Sequence, residues 1–449
     1  MKVFRAFIDR PILVIFLLGI ASGFPKGMIV STLSAWLTDE GLSRTSLGLF
    51  GLVSLPYAVN FLWAPLVDSF KLGPLGSLLG KRRAWILLTQ LLLLGLLFLL
   101  GTFDPGKQLF AVALVCVTIA FVSATQDIAI DAIRIESVPV DQQGAAASAG
   151  VVGWLLGNLF IAGISLWLTD VLDSWQQIYM VMSFAMLLGI GGTLLAREPQ
   201  HKAVPAHAPD TPRLRRMELW LERSVLAPFV EFFRRNGAGM ALTLLAFIFL
   251  FKIGEAFLGS MSIRFYNEIG YEWKEVFAYV KSGGMIALGL GSFLGGAVSI
   301  KLGASRGLLL AGIAMALTNL LYAWLAHIGR TDTVVLNIPL LHIQQLALDM
   351  PLMTCVILDN FTAGISTIAF VTYISDLCDR QFTATQYALL ASLGNLGRTT
   401  LASGSGALVD FLGGRWELFF ILTAIMAIPG LLILIWLMRR GLRPEGASG

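Results

Sequence analysis

Twelve stretches of about 18 to 27 mainly apolar residues, separated by short polar connections, constrain this chain more than anything else in it. Each is long enough to cross a ~30 Å hydrocarbon layer as a helix, in which backbone N–H and C=O groups pair within the segment. The short alternating strands of a membrane barrel are missing from the sequence. With 56% hydrophobic and only 13% charged residues among 449, a soluble globular fold is excluded, because too few polar side chains exist to cover its surface. The sequence therefore predicts an all-α membrane protein of twelve transmembrane helices in two six-helix bundles. Its spans are expected near residues 11–37, 43–67, 84–101, 109–133, 143–169, 175–196, 237–261, 275–300, 306–328, 346–375, 384–410 and 415–438. The first run carries no small-residue cleavage site before its acidic loop and reads as a retained helix rather than a signal peptide.

An even number of spans puts both termini on one side. Most of the 32 Lys and Arg residues fall on that side, and the positive-inside rule makes it the cytoplasm. The expected organisation is an N-terminal bundle (1–197), a cytoplasmic linker (198–236) and a C-terminal bundle (237–449). Within the linker, Met217 to Phe233 carries apolar residues at helical spacing, which fits an amphipathic helix on the inner leaflet; its arginines serve equally well as topology determinants. Leu37-Thr38-Asp39-Glu40-Gly41, after the first span, has a counterpart in Arg264 to Gly270 after the seventh. Six spans, a basic linker and six more spans with weak internal similarity are the layout of a transporter built from two parallel repeats, with its site near the midplane. Cys116 and Cys355 lie in apolar runs and Cys378 in a charged connection, a spacing that predicts neither a disulfide framework nor a metal site.

Charges inside the spans carry the functional information. Asp127 and Asp131 are four residues apart with Arg134 three further on, so a helix puts all three on one face, away from lipid. A centrally placed Asp costs roughly 2.5 to 3.5 kcal/mol in a membrane, which makes such residues candidates for function. Lys26, Lys252, Glu255, Lys281, Asp359 and Arg398 complete the set. Lys252 and Glu255, three apart, read as a local pair, and Lys281 lies close enough to its helix end to snorkel. Lys26 and Arg398 lie about halfway along their spans, where snorkelling does not reach. Lys26 follows Pro25, which frees a backbone carbonyl, and Arg398 is flanked by glycines that permit close backbone approach. Both are read as cationic substrate contacts facing one central cavity, with a structural pair between Arg398 and Asp359 as the rival reading.

Trp63-Ala64-Pro65-Leu66-Val67-Asp68 followed by Gly80-Lys81-Arg82-Arg83 resembles the signature between the second and third helices of the major facilitator superfamily. There Asp68, with Lys81, Arg82, Arg83 and Arg134, is expected to latch the cytoplasmic helix ends, either by pairing with Arg or by facing another helix N-terminus. Ala35-Trp36-Leu37-Thr38-Asp39, Leu55-Pro56-Tyr57 with Phe61 to Leu66, Ser123-Ala124-Thr125-Gln126-Asp127 with Asp131, and Phe382 to Leu390 resemble the AmpG family of muropeptide permeases along nearly the whole chain. The resemblance implies a proton-driven importer of N-acetylglucosaminyl-anhydromuramyl peptides in the inner membrane of Gram-negative bacteria; branches that carry siderophores or acetyl-CoA share the motifs. On that reading Asp127 and Asp131 couple the proton, and Arg398 and Lys26 meet peptide carboxylates. Gln126, Asn158, Asn360, Asn395 and Gln386 hydrogen-bond sugar hydroxyl and acetamido groups, Trp154 and Tyr57 stack on a sugar face, and Asp359 completes the site. Any one of these polar groups also fits an ordinary interhelical contact.

The expected partners are a small sugar-peptide and membrane lipids, with no nucleic acid, no metal and no cofactor beyond the proton gradient, and the protein is expected to act as a monomer. A membrane-embedded enzyme would need a hydrophilic acid/base loop or a His-containing metal motif. His201, His207, His327 and His342 have no such spacing, and no Walker-type loop supports an ATP-driven pump.

Overall fold

The computed structural model of the protein describes residues 6–41, 50–199, 226–271, 276, 283–331, 334–338 and 343–440. Among these, ten helices are long and apolar enough to cross a membrane. The two remaining expected spans, the second over its described residues 50–67, are helical but interrupted. The second breaks into α3 (Leu55–Val59), a 3-10 turn Asn60–Leu62 and α4 (Ala64–Ser69), with Pro56 and Pro65 each in a first turn, where a missing N–H does no harm. The eleventh is α17 (Thr383–Ala402) followed, after a break at 403–404, by α18 (Ser405–Phe411).

Chain order in the first half is α1 (Arg10–Gly27), α2 (Leu33–Asp39), α3, α4, α5 (Gly73–Leu79), α6 (Lys81–Leu100), α7 (Pro105–Glu136), α8 (Gln143–Leu168), α9 (Trp175–Ser183) and α10 (Met186–Leu195). The second half runs α11 (Ala227–Asn236), α12 (Ala238–Leu250), α13 (Ile253–Glu268), α14 (Met285–Leu302), α15 (Ala304–Ile328), α16 (Met350–Leu377), α17, α18 and α19 (Trp416–Arg439). One antiparallel hairpin, β1 (Val334–Ile338) with β2 (Ile343–Leu348), interrupts the helices between α15 and α16 and pairs Val334 with Leu348. It adds to the all-helical expectation: Val, Ile and Leu at 334–348 suit a strand, and the segment between the two spans is long enough to fold back on itself. Lys281 and residues 217–225 of the expected amphipathic helix lie outside the described residues; its end is α11.

Local chemistry sets several helix ends. Asp104 accepts from the Gly106 N–H (2.9 Å) with Pro105 at the first position, so α7 starts on a cap. Gly80 precedes α6 with φ 91° and Gly303 precedes α15 with φ 83°, a conformation only glycine enters freely. At Gly80 a Cβ would also collide with Glu198 at 2.2 Å, so glycine is required there twice over.

Residues 1–238 with 377–392 form one compact unit, and 239–376 with 393–449 a second. In the first, α1 and α8 meet backbone to backbone. A Cβ at Gly23 would lie 2.2 Å from the Trp154 carbonyl oxygen, one at Gly153 2.3 Å from that of Phe16, and one at Gly157 2.2 Å from that of Ile20. Small residues at this spacing bring two membrane helices into van der Waals contact where the hydrophobic effect offers no drive between them. In the second unit, Gly397 of α17 approaches the Phe249 carbonyl of α12 in the same way (2.4 Å). Its core is aromatic: Phe265, Tyr266, Tyr322, Trp416, Phe419 and Phe420 pack together, and the Tyr266 and Tyr322 hydroxyls are 2.8 Å apart. Each unit also ties an acid at the end of its first span to an indole opening its last span, Trp175 Nε1 to Asp39 (2.8 Å) and Trp416 Nε1 to Glu268 (2.8 Å).

Candidate functional site

The first span is irregular where its charge sits. Pro25 withholds an N–H, and directly beyond Lys26 the α-helix loosens into a π-helical turn, Met28–Thr32, before α2 resumes. The seventh span breaks in a similar place: α12 and α13 are separated at Phe251–Lys252, with Lys252 at φ −98°, ψ 14°. In both units the first span loses its regular hydrogen bonding next to its intramembrane lysine.

In the first unit the Lys26 ammonium lies over two rings, 5.1 Å from the centre of Tyr57 and 5.4 Å from that of Trp154. Two aromatic faces partly replace the water that a cation loses in lipid. Trp154 is fixed by the glycine contacts between α1 and α8 described above, and Tyr57 by the broken second span. The structure thus brings together three residues expected at the site, with the rings set on the lysine rather than left free for a sugar. One turn before Lys26, Ser22 donates to Asp127 Oδ1 at 2.6 Å. Among the described residues no cation lies within 4 Å of Asp127, and Lys26 forms no ion pair with it. Gln126 is wholly buried and hydrogen-bonds no described residue through either end of its amide. Asn158, a turn beyond Trp154, is half-buried.

Towards the end of α7 the charges are paired. Arg134 is buried and holds Asp131 through two bonds to Oδ1, 3.2 and 3.3 Å, with the Tyr387 ring 5.0 Å away. Arg82 has no exposed surface, lies 2.7 Å from Asp68 and forks onto both oxygens of Glu136 (2.6 and 3.2 Å). Asp68 in turn accepts the Thr385 N–H (2.7 Å), the Thr385 hydroxyl (2.6 Å) and the Ala384 N–H (3.3 Å), capping the first turn of α17. The two alternatives for Asp68, pairing with Arg and facing a helix N-terminus, are both realised by one carboxylate. Lys81 donates to the Asp68 backbone carbonyl (2.9 Å), and Arg83 to the carbonyls of Thr193 and Leu194 (both 3.1 Å), closing the end of α10. None of the three basic residues is a merely solvated loop charge. Glu198 accepts the N–H groups of Arg82 (2.8 Å) and Arg83 (3.1 Å) at the start of α6.

In the second unit Lys252 lies 3.3 Å from Glu255 and donates to the Thr367 hydroxyl (2.9 Å), which is the local pair expected from their spacing. Asp359 accepts only a long bond from Thr318 (3.5 Å) among the described residues. It forms no ion pair with Arg398, which is exposed, as is Asn395. Arg398 follows Gly394-x-x-Gly397 as Trp154 follows Gly150-x-x-Gly153, so the two residues occupy matching places in the two units. Asn360 donates to the Val356 carbonyl of its own helix (2.9 Å).

Gln386, expected to contact a sugar, has its side chain engaged elsewhere. It accepts the Asp379 N–H (2.7 Å) and donates to the Pro228 carbonyl (3.0 Å) and to Glu231 (2.7 Å), fastening α11 to the start of α17. Sequence reasoning passed over Ser22, Glu136, Glu198 and Thr385. Only Glu136, two residues beyond Arg134 and one turn past Asp131, carried a signal: a third acid on the same helix end.

These features, apolar spans in two units with charges held at mid-depth and a carboxylate latch at one end, define a secondary transporter of the major facilitator type. The description "Major Facilitator Superfamily" matches residues 15–347. The anhydromuropeptide permease of Escherichia coli K12 is 36% identical over 94% of this chain and 78% of that one. AmpG 4 of Rickettsia felis is 32% identical over 98% and 99%. The crystal structure of the human organic anion transporter MFSD10 shares the fold, with a TM-score of 0.60 at 15% identity over 95% of this chain and 99% of the other. The chain belongs to the major facilitator superfamily and, within it, to the AmpG family, a multi-pass membrane protein of the kind the motifs implied.

Proposed function

We propose that the protein is a proton-coupled importer of anhydromuropeptides in the bacterial inner membrane, with both termini cytoplasmic, and that it works by alternating access rather than as an enzyme. The observation that carries this reading is the 36% identity to the Escherichia coli permease along nearly the whole chain. The organisation is that of two repeats, 1–197 and 237–449, joined by a linker at 198–236, and it draws support from the matched indole–carboxylate ties of Asp39 and Glu268. The residues proposed to bind substrate are Lys26, Asn158, Gln126, Trp154 and Tyr57 in the first repeat and Arg398, Asn395 and Asp359 in the second. A guanidinium fork takes a peptide carboxylate with two parallel bonds. The protein acts as a monomer and needs no metal or nucleotide.

Asp127 carries the coupling proton. Its Oδ1 already accepts from Ser22, so a proton settles on Oδ2 without disturbing that bond. Neutralising the carboxylate lowers the cost of closing hydrocarbon-lined helices around it. Asp131 and Arg134, one and two turns on, lead the proton toward the cytoplasm. The membrane potential supplies roughly 2.3 kcal/mol per charge per 100 mV, enough to concentrate a neutral substrate tens-fold per proton. Asp68, Lys81, Arg82 and Arg83 form the cytoplasmic gate: while Asp68 caps α17 the gate is held, and releasing that cap opens it.

Uptake into right-side-out vesicles under an imposed inward proton gradient tests the reading. Labelled anhydromuropeptide should accumulate and a protonophore should abolish the accumulation. Uptake of a ferric siderophore instead, or accumulation indifferent to the protonophore, would overturn it.

A further inference from the structure

A cavity of about 380 Å³ lies in the first unit, away from Lys26 and Asp127, where the start of α1, the end of α7 and the end of α10 converge. Its floor is Val14, Ile15, Leu18 and Ile133, and its rim carries Arg10 and Arg197. The guanidinium of Arg10 is held in place by one bond, Nη2 to the Leu195 carbonyl (3.3 Å), which leaves most of its fork uncommitted. Neither Arg10 nor Arg197 forms an ion pair within the described residues. Both stay exposed.

Two acids also reach the cavity, Glu136 and Glu198, yet each is already matched. Arg82 takes Glu136 with both arms of its fork, and the first N–H groups of α6 take Glu198. Among the described residues, therefore, the rim carries two cations without an ion-pair partner. Leu195 lines the cavity and is 51% exposed on the flank of a membrane-spanning helix, next to Leu194 at 54%. Apolar surface of that kind faces lipid, so the mouth meets the bilayer at the level where headgroups begin.

We propose that this cavity binds an anionic phospholipid, its phosphate between Arg10 and Arg197 above Val14 and the first carbons of its chains along Leu194 and Leu195. The choice of lipid over free phosphate rests on the flank of the cavity: Leu194 and Leu195, 54% and 51% exposed, offer apolar surface that acyl chains cover and a bare anion leaves bare, while the guanidinium groups take the phosphate. The leaflet is the cytoplasmic one if the orientation proposed above holds, which is also where a negative surface potential favours basic side chains. The occupant sits against Glu136 and Glu198, the acids that hold Arg82 and the start of α6, and so adjoins the latch without touching the proposed substrate residues.

The test uses the purified full chain in detergent, titrated with phosphatidylglycerol, with phosphatidylcholine of the same chains, and with inorganic phosphate, and read by thermal unfolding. Phosphatidylglycerol should raise the wild-type midpoint and the other two should not. The double variant Arg10→Gln/Arg197→Gln should bind phosphatidylglycerol roughly 25-fold more weakly while keeping its lipid-free midpoint. Val14→Trp, which fills the floor and keeps both arginines, should lose the response as well, and together with Arg197→Gln alone it decides the matter if the double variant does not fold. An equal response to phosphatidylcholine, an equal response to inorganic phosphate, or undiminished binding by the variants overturns the proposal. Binding is read without transport, so a negative result here leaves the importer reading standing, and a failure of muropeptide uptake leaves the lipid site standing.

Discussion

Two side chains show how differently charge is tolerated in this membrane protein. Arg82 has no exposed surface, and its cost of burial is offset by Asp68 at 2.7 Å and a fork onto Glu136. Arg82→Ala removes the cation that lies between the Asp68 and Glu136 carboxylates, so it should lower stability by about 3 to 5 kcal/mol, measurable by denaturant unfolding of the purified protein. Asp127, by contrast, has a hydroxyl for a partner and no cation within 4 Å among the described residues. An amide keeps the Ser22 bond but cannot take up a proton. Asp127→Asn should therefore abolish gradient-driven accumulation while preserving folding, binding and substrate exchange in proteoliposomes. Undiminished uphill uptake by well-expressed Asp127→Asn would remove the coupling role from this residue. The carboxylates at 127 and 131 and the cations at 26 and 398 could be singled out in the sequence because charge in an apolar run is rare. Which of them find partners could not, since Arg134 takes Asp131 from its own helix but Ser22 reaches Asp127 from another.

Elements are placed by glycine as much as by hydrophobicity. Along α1 and α8 the residues that would collide if enlarged, Gly23, Gly153 and Gly157, set the distance between backbones and with it the position of the Trp154 ring over Lys26. Gly157→Ala puts a methyl group 2.2 Å from the Ile20 carbonyl oxygen and should destabilise by about 1 to 3 kcal/mol, moving Trp154 off the lysine. Gly95→Ala meets nothing within 4 Å and should stabilise its helix by up to about 1 kcal/mol. Comparing the two midpoints, with tryptophan fluorescence as the local reporter, separates packing from helix propensity. Equal midpoints would mean that the close approach is not what holds α1 to α8. The breaks at Met28–Thr32 and Phe251–Lys252 show the same logic in reverse, where regular bonding is given up beside an intramembrane lysine. Pro25 announces the first of these in the sequence. Nothing comparable precedes Lys252, which is why that break was unforeseen.

For the whole molecule the decisive prediction concerns sidedness. On the proposed orientation the linker is cytoplasmic and the α15–α16 connection outside, so an impermeant thiol reagent added to intact spheroplasts should label Arg330→Cys and spare Lys202→Cys. Cys116, Cys355 and Cys378 are buried and should contribute little background. Labelling in the opposite pattern would invert the orientation and put the proposed cytoplasmic gate on the outer side.

Length and hydropathy of the apolar runs determined the helical membrane fold, because in hydrocarbon only a helix or a closed barrel satisfies its own backbone, and no packing partner is needed to decide between them. The motifs around Asp68 and Asp127 were legible for a related reason: a short segment holds the residues that make them unusual. Tertiary structure alone decided what those residues do. Asp68 meets the N–H of Thr385, 317 positions along the chain, and Gln386 is drawn away from the expected site by Pro228 and Glu231. The cavity under Arg10 and Arg197 exists only because three helix ends converge. A span can be read from its own residues because its solvent is uniform lipid, whereas a contact depends on what the remainder of the chain brings to it.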